Sequence, residues 1–308
     1  MKSYQKIRVI LLILLLIPTL IWSQEKTSFF TSSDSLNKAR VIGVSTGIGA
    51  VYAGSMIGLS QVWYKDQAKT NFTFFNDNHH WLQMDKLGHT YTAYWIQNRV
   101  HALYRWSGVS RENSLLISGL YSFAFQGTFE LMDGFSEGYG FSYGDVLANT
   151  GGILLFTGQE LLFKKQILVP KFSFYPSPYA KYRPEVLGSG IEQLLKDYNA
   201  QTYWLSVSLG DITPKNWKVP DWLCLSVGYS VREKLKSDVE YYAVQQGTEI
   251  KSFSAYREVF LSLDINLSKI PVKKPWLKAL LSNFNVLKIP FPAIGFSSRG
   301  TRGYWLYY

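Results

Sequence analysis

Long apolar segments with helical spacing fill the first half of the chain. Val41–Tyr64 carries no charged residue and has the length of a bilayer span, so it fits either a membrane helix or the central helix of a bundle. Met84–Trp106 is amphipathic, whereas Ser114–Met132 and Asp145–Phe163 are apolar with few interruptions. The short polar links between the later segments predict neighbouring antiparallel helices. We therefore predict a four-helix hydrophobic bundle, in which recurring glycines allow tight helix contacts.

A period-two alternation replaces the helical pattern after Lys165. In Glu258–Leu267, apolar residues alternate with polar ones, so one face of the predicted strand is apolar. Strand lengths near ten residues and abundant tyrosine and tryptophan are typical of outer-membrane strands. A soluble antiparallel sheet packed on the helices is the alternative. The predicted strands are 202–209, 222–231, 239–244, 258–267, 286–296 and 303–308.

These patterns predict an α+β fold in three parts. Residues 1–24 read as a secretory signal peptide, with a positive start and the apolar core Val9–Leu16; an uncleaved anchor is the alternative. Residues 25–169 form the helical unit, and residues 170–308 form a basic, aromatic-rich, antiparallel β region of outer-membrane type. Cys224 is the only cysteine in the chain, so no cysteine near the cleavage site offers a bacterial lipoprotein anchor.

The charge is distributed unevenly. The formal net charge is +10, and outside the leader the positive excess lies entirely after Val169. Lysines at 269, 273, 274 and 278 concentrate part of it. In an exported protein, such a patch suits anionic membrane lipids or lipopolysaccharide phosphates, although a lysine-rich soluble surface would look the same. Export argues against nucleic acid as a partner.

Three polar pairs interrupt the apolar helical segments. They are Asp85 with His89, Glu130 with Asp133, and Asp145 with Asn149. Residues three or four apart share one face of a helix. If the helices run up and down, the start of the first, the end of the second and the start of the third meet at one end of the bundle. All six side chains are therefore candidate site residues.

One interpretation of this polar cluster is acid–base chemistry. His89 would act as a base oriented by Asp85, while the other carboxyl groups act as acids with pKa values raised by their apolar setting. Ser136 and Ser142 lie nearby in sequence as candidate nucleophiles, although neither sits in a G-x-S-x-G elbow. This reading predicts a hydrolase-type enzyme acting on a lipid or polyprenyl headgroup at the membrane interface.

Two other interpretations of the polar cluster involve no catalysis. Carboxylates and an imidazole could hold a divalent metal, but the spacing matches no specific zinc or di-iron motif, so a metal is not favoured and the cofactor stays unknown. A purely structural network would pair Lys86 with Glu130 and Asp133, would use Asn149 to cap backbone groups, and would set Asp145 in the first turn of its helix.

The same residues carry a family resemblance. DKLGH at 85–89, FELMDGF at 129–135 and FSYGDVLANTGG at 141–152 resemble the YfiM-like family of predicted periplasmic or envelope proteins of unknown function. Their order is also similar to that of VanZ-like membrane proteins, which are tied to glycopeptide-antibiotic tolerance. The C-terminal half looks like the longer Bacteroidota members of the YfiM-like family. The resemblance implies an envelope location and supplies no reaction. VanZ-like proteins carry an arginine in the stretch that is DGFSEGYGFSYGD here, which contains no basic residue.

These observations lead to three functional hypotheses. The first is an exported, outer-membrane-associated protein with a structural or assembly role, which contacts membrane lipids, docks an envelope protein partner, and uses the polar cluster to fix the helices. The second is the interfacial enzyme described above. The third is an anionic glycolipid-binding protein that uses the lysines between 269 and 278. We expect the protein at the outer membrane or its periplasmic face.

Overall fold

The computed structural model describes residues 29–64 and 68–308, so the predicted signal peptide lies outside the described residues. Within these ranges the chain forms eight α-helices and a six-stranded antiparallel sheet, which confirms the mixed helix and sheet class. The four-helix bundle and the outer-membrane character of the strands stay predictions.

Four long helices form the first half of the structure. They are α1 (Lys38–Trp63), α2 (Met84–Trp106), α3 (Arg111–Gly134) and α4 (Tyr143–Phe163). Three of them begin at a residue whose side chain accepts a hydrogen bond from the helix backbone, namely Asn37, Ser110 and Ser142. The sequence predicted all four helices to within a few residues.

The helices α2, α3 and α4 pack against one another. Gly152 of α4 lies so close to α2 that a Cβ atom there would be 2.2 Å from the carbonyl oxygen of Thr90, so only glycine permits this approach. Ser122 of α3 donates a hydrogen bond to the carbonyl of Ala93 at 2.8 Å. The predicted tight contact between glycine-containing helices is therefore confirmed for α2 and α4.

Helix α1 flanks this group. Its contacts include hydroxyl–hydroxyl hydrogen bonds between Ser45 and Tyr104 at 2.9 Å and between Tyr52 and Thr128 at 2.5 Å. The four glycines that suggested a close partner face open space in the described part of the chain: Gly43, Gly47, Gly54 and Gly58. By length and composition alone, segments 38–61 and 143–163 could each cross a membrane.

The second half contains eight strands and four short helices. The strands are β1 (Leu168–Phe174), β2 (Gln201–Ser208), β3 (Leu223–Arg232), β4 (Tyr241–Gln246), β5 (Glu249–Ser254), β6 (Tyr256–Ile265), β7 (Phe291–Ser297) and β8 (Gly300–Tyr307). The helices are α5 (Pro184–Leu187), α6 (Gln193–Lys196), α7 (Leu209–Ile212) and α8 (Pro275–Phe284). The main sheet has the order β1-β2-β3-β6-β7-β8, and β4 pairs with β5 in a separate hairpin.

The sequence analysis missed three elements of this half: strand β1, strand β5 and helix α8. The predicted strand 286–296 begins only at Phe291. The preceding residues instead cover the free edge of β1, because Phe172 N donates to the Val286 carbonyl at 3.0 Å and Lys288 N donates to the Phe172 carbonyl at 2.8 Å.

The main sheet has an apolar outer face, while its inner face carries buried serines and charged groups beside an aromatic cluster formed by Trp204, Phe260 and Tyr307. One row of paired residues across β2, β3, β6 and β7 consists of Leu205, Val227, Leu261 and Ile294, which are 40–50% exposed. The next row inward consists of Ser206, Ser226, Ser262 and Ala293, all buried. The sequence correctly separated the two faces of β6, and the structure turns the apolar one outward.

Charged side chains occupy the space inside the sheet. Lys171 and Asp264 are fully buried, and Lys171 Nζ lies 2.8 Å from Asp264 Oδ2. The carboxylate also accepts hydrogen bonds from Ser206 Oγ at 2.8 Å and from Ile289 N at 3.1 Å. Because removing two charges from water is costly, this pair depends on having all of these partners together.

We predict that Lys171→Met lowers the free energy of unfolding by about 3–5 kcal/mol, because it leaves the Asp264 carboxylate buried without its cation. The control is Lys236→Met, whose partner Asp238 is half exposed, and it should change stability by less than about 1 kcal/mol. Equilibrium denaturation measures both. Equal, small effects of the two substitutions would show that the inner pair contributes little.

Candidate functional site

The three predicted polar pairs meet at one end of the helical unit. His89 Nε2 lies 3.8 Å from Asp85 Oδ2 and 3.5 Å from Asp145 Oδ1, and His89 Nδ1 lies 3.6 Å from Glu130 Oε1. His89 and Asp85 come from the start of α2, Glu130 from the end of α3, and Asp145 from the first turn of α4. The predicted convergence is therefore observed, and His89 is its centre.

A chain of two amides orients the imidazole of His89. Gln126 Nε2 donates to the His89 carbonyl at 3.3 Å, which identifies this atom as the amide nitrogen, and it also donates to Asn149 Oδ1 at 2.9 Å. The same Asn149 oxygen lies 3.1 Å from His89 Nδ1. Since an amide oxygen only accepts, Nδ1 carries a proton. The other ring nitrogen, Nε2, therefore faces the carboxylates of Asp85 and Asp145.

Lys86 supplies a second positive charge beside the imidazole. Its ammonium lies 2.7 Å from Asp77 Oδ1, 2.7 Å from Asp145 Oδ1 and 3.4 Å from Asp85 Oδ2. Gly144 makes room for this arrangement, because a Cβ atom there would be 3.0 Å from the Lys86 side chain. Lys86 thus joins the loop before α2 to the start of α4.

The β region reaches the site through Tyr198. The Tyr198 hydroxyl, in a turn just before β2, donates to Asp85 Oδ1 at 2.6 Å. The three residues before α2 have positive φ angles: 49° at Trp81, 52° at Leu82 and 67° at Gln83. This left-handed conformation costs free energy in residues other than glycine. Tyr229 of β3 donates to the Leu82 carbonyl at 2.6 Å and helps to hold this entry.

Some of the predicted contacts are absent among the described residues. Asp133 accepts a hydrogen bond from Tyr64 at 2.6 Å and makes no ion pair with Lys86, and the same holds for Glu130, so that structural pairing was wrong. Asn149 contacts side chains rather than capping backbone groups. Ser142 caps α4 and donates to Asp77 at 2.6 Å, so its hydroxyl is engaged away from His89.

Ser136, the other candidate nucleophile, is buried, and no hydrogen bond joins it to His89 in the described residues. Neither serine therefore forms a nucleophile–base pair with the imidazole. If the cluster carries out hydrolysis, its nucleophile comes from water or from the substrate.

The electrostatics of the cluster divide its carboxyl groups into two classes. Burial raises the pKa of Glu130 to about 8 and that of Asp133 to about 6. Burial would also raise the pKa of Asp85, but the charges of His89 and Lys86 bring it below its ordinary value. Burial would lower the pKa of His89, yet Asp85, Asp145 and Glu130 raise it. The raised pKa values favour the imidazolium form of His89 and, near neutral pH, the protonated form of Glu130.

Two buried polar atoms in the cluster have no hydrogen-bond partner among the described residues. They are Glu130 Oε1 and Asn149 Nδ2, whose side chains are almost fully buried. Buried polar groups normally find partners, so the cluster is only partly satisfied by its own residues. Such atoms are available to a ligand or to a transferred proton.

A cation would find ligands on one side of His89. Asp85, His89 and Asp145 offer one atom each within 4.8 Å of one another. The Lys86 ammonium already contacts both carboxylates, however, and supplies positive charge where a metal would sit. The geometry thus favours an internal ion-pair network that can hold and move protons.

Several members of the cluster were not predicted from the sequence. Ser142 had a local signal, because a serine three residues before an acidic residue is typical of a helix start. Gln126 lies four residues before Glu130 and therefore on the same face of α3. Asp77 lies in a loop, and Tyr198 lies 113 residues from Asp85, so the sequence offers no signal for either.

One family model matches part of the chain. Residues 72–157 are similar to the family described as "Predicted periplasmic lipoprotein (DUF2279)". The match supports an exported envelope protein of an uncharacterised family. No curated protein and no solved structure matches the chain.

The matched segment contains every helical member of the cluster, whereas Tyr198 and the sheet lie outside it. The family description includes lipid attachment, which requires a cysteine at the processing site. In this sequence the only cysteine is Cys224, which is buried in β3.

We predict that Glu130→Gln removes a pH-dependent part of stability. Burial raises the pKa of Glu130 from 4.5 to about 8 in the folded protein. The stabilisation linked to this raised pKa is complete at a pH below the pKa of the unfolded chain, and it is lost as the pH rises towards the pKa of the folded protein. His89, Asp145 and Asp133 are the charged groups that act on it. The difference in unfolding free energy between wild type and variant should therefore fall between pH 5 and pH 8, by up to about 1.4 kcal/mol per pH unit.

Denaturation at several pH values gives this difference. Glu137→Gln, at an exposed site in the following loop, is the matched control and should leave the pH profile unchanged. A constant difference between wild type and Glu130→Gln across this range would contradict the assignment of a proton to Glu130.

Proposed function

We propose that this exported envelope protein is associated with the outer membrane, has a structural or assembly role, and contacts lipid through its apolar outer surface. The observation that carries the proposal is the exposed apolar row on the outer face of the main sheet. Lipid-facing strands alternate apolar-out and polar-in. A soluble sheet packed on helices would bury the row formed by Leu205, Val227, Leu261 and Ile294 instead of leaving it exposed.

The helices support the same proposal. Large apolar side chains on α3 and α4 are exposed, including Leu116, Leu120, Leu147, Leu154 and Leu161, each by more than 60%. Exposed apolar surface on this scale marks contact with a membrane or a partner. At the end of these helices, aromatic rings form a connected group made of Phe72, Phe74, Phe135, Phe141 and Tyr143.

Aromatic rings concentrate at the boundary between lipid and water. The aromatic group surrounds the start of α4, where Asp145 joins the cluster around His89. This arrangement would set the cluster at the level of the lipid headgroups. The ion pairs there join α2, α3 and α4, and the hydrogen bond from Tyr198 to Asp85 adds the β region, which suits a scaffold whose parts must keep their relative positions. The YfiM-like and VanZ-like resemblances fit this role and stay predictions.

We predict that Leu261→Lys weakens association with neutral phosphatidylcholine vesicles, because a charge on a lipid-facing strand costs about 2–4 kcal/mol near the bilayer centre. The matched control is Thr301→Lys, which adds the same charge at an exposed polar position of β8. Flotation of purified protein with vesicles measures the bound fraction. Wild-type protein that stays wholly in the soluble fraction would contradict lipid contact.

A second candidate function is acid–base chemistry on a lipid or polyprenyl headgroup. Two observations favour it: Glu130 Oε1 is buried without a partner, and the His89 side chain remains 21% exposed. A headgroup at the interface could therefore reach His89, which as an imidazolium would donate a proton from Nε2. Asp145 would return a proton to Nε2, because its Oδ1 lies 3.5 Å from that nitrogen and burial raises the pKa of Asp145 to about 7.

We predict that His89→Ala and Asp145→Asn separate the two candidate functions. If the cluster is structural, both variants lose stability, by about 3–5 kcal/mol where a buried charge loses its partner, and function falls with it. If the cluster is catalytic, function falls by about 10²–10⁴-fold with unchanged melting.

Melting of the purified variants and complementation of a deletion strain are the two measurements. His79→Ala, at an exposed histidine, is the control and should change neither. Full complementation by both cluster variants with wild-type melting would exclude both roles for the cluster.

A further inference from the structure

A polar stripe runs along the buried side of α3. Every fourth residue from 114 to 130 is polar, and all five are buried: Ser114, Ser118, Ser122, Gln126 and Glu130. Residues four apart lie on one face of a helix. A serine buried in an apolar helical unit is costly unless its hydroxyl finds a partner. The stripe therefore extends the polar surroundings of His89 along almost the whole of α3.

A second stripe with the same spacing faces it from α2 and contains His89, Ala93, Gln97 and His101. Ser122 donates to the Ala93 carbonyl at 2.8 Å, and a Cβ atom at Gly119 would lie 3.3 Å from Gln97 Nε2. The same antiparallel register brings the two remaining serines of α3 level with Gln97 and His101. The two stripes form a polar seam that is about 18 Å long between His89 and His101, since a helix rises about 1.5 Å per residue.

Helix α4 closes the polar seam on a third side. Gln97 Nε2 donates to Thr157 Oγ1 at 2.8 Å, and Asn149 Oδ1 lies 3.1 Å from His89 Nδ1. Four buried side-chain atoms in the seam nevertheless have no hydrogen-bond partner among the described residues, namely Glu130 Oε1, Asn149 Nδ2, Gln97 Oε1 and His101 Nε2. They are spread over the length of the seam, so the unpartnered groups extend well beyond the cluster around His89.

Water molecules fit these atoms. Buried waters bind polar groups that a protein leaves unpartnered, and each needs about two to four polar partners. Gln97 Oε1 and His101 Nε2 belong to adjacent turns of α2. The Ser118 hydroxyl donates to the Leu115 carbonyl at 3.0 Å, so its oxygen is free to accept a hydrogen bond from water. These three groups supply the partners that a buried water requires.

The two ends of the polar seam hold protons differently. Burial raises the pKa of Glu130 to about 8, which favours its protonated form near neutral pH. Burial lowers the pKa of His101, the charge of Glu160 opposes this effect, and Arg105 and Arg111 add to it. The neutral imidazole of His101 has one ring nitrogen that can accept a proton. Glu130 can therefore give a proton, and His101 can take one.

We propose that the polar seam holds a file of water molecules that passes protons between Glu130 and His101. Glu130 gives its proton to the nearest water, each water passes one of its own protons to the next, and His101 gains one on its ring. One O–H bond forms and one breaks at every water, so only a proton moves. Acidic and imidazole side chains inside apolar helices are the groups from which proton relays are built. The relay does not require lipid contact and goes beyond the proposed function.

Hydrogen exchange of the Gln97 side-chain amide tests this relay, with NMR detection after transfer of the full chain into D₂O. Gln159 is the reference inside the same molecule. It is also buried, but its nitrogen donates to the Leu155 and Leu168 carbonyls and its oxygen accepts from the Ile167 and Leu168 amides. Gln97 should exchange at least about tenfold faster than Gln159, which corresponds to about 1.4 kcal/mol in the free energy of opening. Global unfolding exposes both amides, so the ratio of the two rates removes its effect.

Two substitutions at Ser118 interrupt the file. Ser118→Val removes the hydroxyl and fills its space, and Ser118→Ala is the milder variant for the case that valine disturbs folding. Either should slow Gln97 relative to Gln159 by about tenfold, which corresponds to the loss of about one hydrogen bond. The matched control is Thr150→Val, which removes a hydroxyl that donates to the Val146 carbonyl at 2.8 Å outside the polar seam. It should leave the ratio unchanged.

A further substitution tests where the protons enter. Glu130→Gln keeps the shape of the side chain and removes its acidic proton, so it should also slow exchange of Gln97 relative to Gln159. Glu137→Gln, at an exposed site, is the control and should leave the ratio unchanged. An unchanged ratio in Glu130→Gln would overturn the relay, because protons would then reach Gln97 without Glu130.

Two other outcomes would overturn the inference. Equal exchange of Gln97 and Gln159 in the wild type would show that the polar seam is dry. An unchanged ratio in both Ser118 variants would show that water does not pass along the serines of α3. Neither outcome bears on lipid contact, which flotation with vesicles tests separately.

Discussion

The structure depends on one constraint: polar and charged groups buried behind an apolar outer face must all find hydrogen-bond or ion-pair partners within the protein. The strand register aligns Leu205, Val227, Leu261 and Ile294 in one outward row and the neighbouring serines in one inward row. A shift by a single residue would exchange the two faces, so the register and the surroundings of the protein are linked. Inside, the Lys171–Asp264 pair offsets its desolvation only because serine and backbone groups complete its hydrogen bonds.

The cluster around His89 also surrounds buried charged groups with partners, and it lies where the two halves of the chain meet. Its cations, His89 and Lys86, alternate with carboxylates from three helices and a loop, and Tyr198 joins Asp85 to the β region. This network accounts for the relative positions of the helices and explains why a scaffold would retain it. Its unpartnered Glu130 oxygen keeps a role in proton transfer open to experiment.

Much of this fold could be predicted from the sequence, because most of the sequence signals are local. Apolar runs with helical spacing predicted α1 to α4, and polar pairs three or four residues apart predicted that His89 would meet Asp85, Glu130 and Asp145. The features that were not predicted depend on contacts between residues far apart in the sequence. Strand β1 contains Pro170 and was not predicted, because its pairing depends on β2 and on residues 286–288, which cover its other edge. Tyr198 reaches Asp85 from the other half of the chain, and no periodicity encodes that contact.

The most direct test of the central claim is the collision accessibility of spin labels on the sheet of vesicle-reconstituted protein. Single cysteines at Val227, Leu261 and Ile294 would carry the labels, because Cys224 is buried. Our account predicts that apolar oxygen relaxes these labels strongly and that a water-soluble nickel complex hardly does, while a label at Thr301 responds to nickel. Strong relaxation of all four labels by nickel would contradict it, since the outer row would then face water.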